Sequence, residues 1–190
     1  MRLLYGRYYA ARERCVAELL PANCSVVDLC CGPGVIYQRY LSRKHIEYLG
    51  LDGSPEFAAH VKKLGAQSEV WELSARTTNL PKADYLIMQG SLAYFLPDPT
   101  CLIREMLLAA REAVIISEPI RNLSTSKSPL VRKIAVAISG GPGGNQPQRF
   151  TEQTLDQLFA AYPVQRAFNI PGGRDKVYVL APVAEARDER

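Results

Sequence analysis

Two aspartates and two glycines hold the clearest chemical signal in this chain. Asp28 ends the apolar run "SVVD", and the chain then crosses two cysteines into Gly32-Pro33-Gly34, reading "VVDLCCGPGV" over residues 26–35. Asp52 ends a second apolar run, "IEYLGLD", 18 residues beyond Gly34. A carboxylate followed by a bend almost free of side chains lets a ligand approach the main chain, because glycine reaches backbone angles that other residues avoid. A carboxylate at the end of the next strand suits the paired hydroxyls of a ribose. A dinucleotide would require a third glycine where Tyr37 stands, and no Gly-Lys-Ser/Thr follows to make a phosphate loop. A nucleoside without phosphates makes fewer demands on this turn, and an aspartate beside it would repel a pyrophosphate.

Such residues must sit at the carboxyl ends of parallel strands, with helices leading away. The chain supplies that rhythm. A helix is expected at residues 6–20, ended by Pro21. The strand "CSVVDLC" and the helix "VIYQRYLSR" follow, then the strand "IEYLGLD". Ser54 caps the helix "SPEFAAHVKKLG", which starts at Pro55 and stops at Gly65. Strands are expected at "QSEVWEL" and "ADYLIMQ". The helix "DPTCLIREMLLAAR" is capped near Asp98 or Thr100, and the strand "EAVIISEP" follows. This alternation predicts a parallel sheet with helices on both faces. Residues 120–149 break it with "SPLVRKIAVAIS", an apolar-faced helix candidate, and "GGPGGNQPQ", a loop by composition. Thr151 caps the helix "TEQTLDQLFAAY", and "VQRAFNI", "PGG" and "KVYVLAPV" read as an antiparallel hairpin.

Composition narrows the class. At 190 residues the chain suits a single domain spanning residues 1–190, and 47% of its residues are hydrophobic, as a packed core requires. No apolar run reaches the roughly 18 residues of a membrane helix, and the opening "MRLLYGRYYAARER" has no signal-peptide core, so a cytoplasmic location is expected. The net charge of +4 comes from scattered residues, which points away from nucleic acid. Five cysteines without C-x-x-C spacing and only two histidines give no pattern for zinc, and the cysteines read as reduced, small core residues.

The stretch "VVDLCCGPG" resembles motif I of the class I S-adenosylmethionine-dependent methyltransferases, D/E-x-G-x-G-x-G. Asp28, Gly32 and Gly34 match it, and Cys30 replaces its first glycine. "YLGLDGSPEF" is similar to the family's second strand with its ribose-binding acid, "ADYLIMQGSLAYFLPD" to its fourth-strand region, and the closing hairpin to its antiparallel seventh strand between strands 5 and 6. The resemblance covers most of the chain. It implies a Rossmann-like α/β fold, with a mostly parallel seven-stranded sheet whose last strand is antiparallel. It implies S-adenosylmethionine as cofactor, S-adenosylhomocysteine as product, and no metal. By it, the turn with Cys30, Gly32 and Gly34 lies under the methionine part, with Asp28 and the carbonyl of Gln89 toward its amino group. Asp52 takes the ribose, and Gly53, Leu73 and Ser74 border the adenine.

The methyl acceptor is harder to read. The place of the Asn/Asp-Pro-Pro-Tyr/Phe sequence of amino-methylating relatives reads "QGSLAYF". A small-molecule substrate is expected, with no nucleic-acid or membrane partner. Residues 120–149, basic through Arg121, Lys127, Arg132, Lys133 and Arg149, are a candidate substrate lid or a helix packed on the sheet. Tyr94 and Glu118 are catalytic candidates, with Glu118 either a base or an acceptor for backbone N–H groups. Tyr8, Tyr94 and Arg149 are substrate candidates, and Tyr5, Tyr8 and Tyr9 either cover the cofactor or pack. Three alternatives stay open: the same cofactor used for cyclisation, a non-catalytic binding protein on this fold, and an RNA methyltransferase.

Overall fold

The computed structural model describes residues 2–72, 79–120 and 149–184, with side chains from residue 10 onward. Helix α1 (Arg2–Leu19) leads into β1 (Ser25–Leu29), α2 (Val35–Arg39), β2 (Glu47–Asp52), α3 (Pro55–Lys63) and β3 (Gln67–Val70). Then come β4 (Ala83–Gln89), α4 (Thr100–Ala109), β5 (Ala110–Pro119), α5 (Glu152–Phe159), β6 (Val164–Asn169) and β7 (Asp175–Leu180). One sheet of seven strands runs in the order β3-β2-β1-β4-β5-β7-β6. All neighbours are parallel except β7, which pairs antiparallel with both β5 and β6. The architecture expected from the sequence is thus the one observed, including a closing strand inserted between β5 and β6. No described helix is long and apolar enough to cross a membrane.

Alternation along each strand divides the core into two layers. Val27, Leu29, Leu86, Met88, Val114 and Ile116 face α4 and α5. Val26, Ile87, Ala113 and Ile115 face α1, α2 and α3. The central strands are buried on both sides, as parallel strands covered by helices must be. Asp28 and Gln89 share the side of Val26 and Ile87, so both emerge under α1 at the carboxyl edge of the sheet. Glu118 shares the side of Ile116 and emerges on the α4 face.

Several local readings shift. The helix expected from Val35 to Arg43 divides into α2 and a 3-10 turn at Leu41–Arg43, because Tyr40 leaves helical angles at φ −129°. Strand β3 stops at Val70, before "WEL". Pro99 is the residue before α4; Asp98 accepts the Thr100 N–H at 3.0 Å and so caps from one position earlier. Ser54 and Thr151 cap α3 and α5 as expected, accepting from Phe57 and Thr154 N–H groups. The cysteines are all free, but only Cys24 is buried; Cys101 is exposed on α4, which corrects the expectation that all five fill the core. Leu73, Ser74 and residues 121–148 of the candidate lid lie outside the described residues, as do the side chains of Tyr5, Tyr8 and Tyr9.

Candidate functional site

Strand order reverses between β1 and β4, and a cavity of about 420 Å³ opens there at the carboxyl ends of the strands. That is the size class of small-ligand sites. Asp28, Cys30, Gly32, Asp52, Gly53, Gln89, Tyr94 and Arg149 all line it. Sequence candidates from four separate segments therefore meet in one place.

The turn after β1 is built from residues with positive φ. Cys30, Gly32 and Gly34 adopt φ of 56°, 54° and 66°. These are the three positions of the glycine pattern, so Cys30 holds the left-handed backbone of the glycine it replaces, at a cost of about 1–2 kcal/mol. A Cβ at Gly32 would meet nothing within 4 Å, because that side of the turn faces the open cavity. A Cβ at Gly34 would stand 2.8 Å from Val61 Cγ2, so Gly34 instead permits the close approach of α3. Gly34 is not part of the cavity lining; its role lies in packing the turn.

Asp52 ties this turn to the next one. Its Oδ2 accepts the Gly32 N–H at 2.8 Å, and its Oδ1 accepts the Ser54 N–H at 2.9 Å. Beyond it, Trp71 donates its N–H to the Asp52 carbonyl at 2.9 Å, which brings the chain after β3 beside Gly53. Asp28 is 2% exposed and accepts the Tyr48 hydroxyl at 2.7 Å. Burial, opposed by that hydrogen bond and reinforced by the charges of Asp52 and Glu13, pushes its carboxyl up to about 7. Burial likewise pushes the Cys30 thiol up to about 12, so it stays protonated and is a poor nucleophile.

Opposite this turn, Gln89 exposes an unmet need. Its Oε1 is buried and has no hydrogen-bond partner among the described residues. Buried amide oxygens without partners are rare, and one on a cavity wall marks a place for a donor from outside. Tyr94 is 74% exposed at the rim, on the 3-10 turn Leu92–Phe95. Arg149 is also exposed at the rim and is followed by Phe150, whose ring is buried in the α4-side core. Glu118 does not line the cavity; its Oε1 accepts the Leu92 N–H at 2.6 Å. Among the described residues, no group of three or more His, Cys, Asp or Glu side chains is arranged to hold a metal.

Sequence reading missed Arg12 and Glu13, which α1 brings to the cavity. Glu13 is 3% exposed and pairs with Arg39 at 3.2 Å; burial, the larger effect, raises its carboxyl despite the arginines. Arg12 reaches Asp175 at 3.8 Å. On sequence alone they are two of the three consecutive charges "RER" in a helix read from its apolar spacing, and nothing local tells which of those charges turns inward. Ser91, Phe57 and Pro119 also line the cavity; only tertiary packing marks them.

The fold has many solved counterparts. The chain aligns over 92% of its length with magnesium protoporphyrin IX methyltransferase from Synechocystis, solved with bound S-adenosylhomocysteine, at 15% identity, TM-score 0.67 and 84% coverage of that chain. It aligns over 90% with a methyltransferase dependent on S-adenosylmethionine from Aquifex aeolicus, at 18% identity, TM-score 0.62 and 89% coverage of that chain. The cyclase SpnF is similar as well, at 16% identity and TM-score 0.66, over 92% of this chain and 82% of that one. No family model matches the sequence, and no curated protein matches it. At such identities the likeness is one of architecture, and the architecture of this chain is that of the S-adenosylmethionine-dependent methyltransferase fold.

Proposed function

We propose that the chain is an S-adenosylmethionine-dependent methyltransferase whose acceptor is a small molecule with an acidic group. The observation that carries this reading is the unpartnered Gln89 Oε1, which lines the same cavity as buried Asp28. An ammonium group supplies the donors that this oxygen lacks and the positive charge that Asp28 favours. The residues therefore fit the methionine end of the cofactor. Asp52 retains lone pairs beyond the two backbone bonds and suits the ribose hydroxyls. Gly53 and the chain near Trp71 suit the adenine side, and the open face of Gly32 leaves room for the ligand's spine.

The cofactor supplies a methyl group already activated by the positive sulfonium, so the protein's task is to align the acceptor and exclude water. Tyr94 and Arg149 stand at the rim where an acceptor would enter. Arg149 makes no ion pair with any described residue, so its guanidinium is available to a carboxylate or phosphate. The exposed Tyr94 ring offers an apolar surface to the body of the same molecule.

Calorimetric titration with S-adenosylmethionine, S-adenosylhomocysteine and NAD tests the cofactor reading. Micromolar affinity for the first two and none for NAD is expected. Failure of both sulfur nucleosides to bind would overturn it. Release of S-adenosylhomocysteine on adding small acids, with a methylated product by mass spectrometry, then separates methyl transfer from cyclisation and from a purely binding role.

A further inference from the structure

Glu118 is a buried carboxylate that the cofactor reading does not use. It is 2% exposed and stands on the α4 side of β5, in line with Val114 and Ile116. A carboxylate survives such burial only where strong hydrogen bonds replace water. Here the donor is a main-chain group of one short segment: the Leu92 N–H lies 2.6 Å from Glu118 Oε1, and the neighbouring Ser91 amide also favours the ionised carboxylate.

The Leu92 amide opens the 3-10 turn Leu92–Phe95, and Ser91 stands just before it. The first amides of any helical turn lack partners within it. Ser91 does not cap the turn, since its hydroxyl is directed to the Gln89 carbonyl at 3.3 Å. A four-residue 3-10 turn has little stability of its own. Its anchor is therefore a side chain from the next strand. What the turn carries matters: Gln89, Gly90, Ser91 and Tyr94 all line the cavity. The same segment is gripped from the other face. Gly90 donates its N–H to the Ser117 carbonyl at 2.7 Å, and Arg12 Nη1 lies 2.5 Å from where a Cβ on Gly90 would stand.

We propose that Glu118 is a positioning residue: its carboxylate caps the turn Leu92–Phe95 from the neighbouring strand and thereby sets Gln89, Ser91 and Tyr94 in the cavity wall. Its effect on ligands rests on the cofactor reading above; its effect on the turn does not. The charged groups acting on it are Arg12 from α1, which favours its ionised form, and Asp175 from β7, which disfavours it. The Cys30 thiol, in the turn after β1, senses the same carboxylate. Burial dominates and pushes Glu118 up to about 7, so the cap changes its charge across neutral pH. Only the ionised form offers full acceptor strength to the Leu92 amide.

The test uses the ligand-free protein and amide NMR spectra recorded across neutral pH. In the wild type, the Ser91 and Leu92 amide protons are expected to shift together through a transition near 7, with the Tyr94 ring signals following. In Glu118→Gln that shared transition should vanish, because the amide cannot ionise. A second arm measures S-adenosylhomocysteine affinity. Loss of a buried acceptor predicts about tenfold weaker binding in Glu118→Ala, with Glu118→Gln recovering to within about threefold. Amide transitions that persist in Glu118→Gln would overturn the proposal. So would a folded Glu118→Ala that binds like the wild type. If the wild type binds no sulfur nucleoside, the cofactor reading fails, and the amide and Tyr94 titrations still decide the role of Glu118.

Discussion

The two walls of the cavity are built on different principles. The wall from β1 and β2 is satisfied before any ligand arrives: Asp52 holds the Gly32 and Ser54 amides, and Asp28 holds the Tyr48 hydroxyl. Its shape comes from backbone angles that glycine favours. The wall from β4 and β5 is incomplete: among the described residues, Gln89 Oε1 is buried without a partner. Its shape depends on side chains remote from the turn in sequence, Glu118 of β5 and Arg12 of α1 among them. The first wall is a prebuilt cradle. The second holds a polar atom, Gln89 Oε1, that a ligand would complete.

The largest break in this contrast falls on the first wall. Gly34→Ala puts a Cβ 2.8 Å from Val61 Cγ2 at a residue with φ 66°. Strain and overpacking together predict a loss of about 2–4 kcal/mol, read by urea unfolding. The second wall should respond in the opposite sense. Gln89→Leu removes a buried amide that lacks a partner for its oxygen, so stability should hold or rise. Affinity for S-adenosylmethionine should still fall about tenfold by calorimetry. A Gln89→Leu protein that loses stability and keeps affinity would erase the distinction between the walls.

A smaller effect is expected from pH. Burial raises Asp28 from its ordinary 3.8 to about 7 and Glu118 from 4.5 to about 7. A carboxyl raised in the folded state binds its proton more tightly there than in the unfolded chain. The stability it contributes is full below the unfolded value and is lost as pH rises through about 7. Affinity for a cationic ligand runs the other way, because Asp28 must be ionised to hold an ammonium. Binding should strengthen severalfold from slightly acid to slightly alkaline pH, with proton release seen as a buffer-dependent heat. Asp28→Asn should flatten that dependence. The smallest effect belongs to Cys30→Gly. Relief of left-handed strain is offset by lost side-chain packing and a freer unfolded chain. Unfolding stability should stay within about 1 kcal/mol of the wild type, with cofactor affinity unchanged.

The difference between the walls also explains what was legible in the sequence. Asp28, Gly32, Gly34 and Asp52 announce themselves, because a buried strand that ends in a carboxylate and a glycine turn is a local pattern. Gln89 was placed by its position after β4, but nothing local reveals that its amide oxygen lacks a partner. Arg12 and Glu13 sit in a run of charges on α1, and only the docking of that helix decides that they turn inward. Glu118 could be read as a base or as an acceptor of backbone N–H groups. The structure puts it behind the cavity wall, on the Leu92 amide of the turn after β4.

Local chemistry written into the chain thus determined the alternation of strands and helices, the left-handed turn after β1 and the closing hairpin. Each depends on residues near one another in sequence, through periodicity, capping and backbone freedom. Tertiary structure alone decided which polar atoms are buried, which of them are satisfied, and which charges from α1 and β5 stand around the cavity. Those properties depend on desolvation and on distances between segments far apart in the chain, and no single segment encodes them.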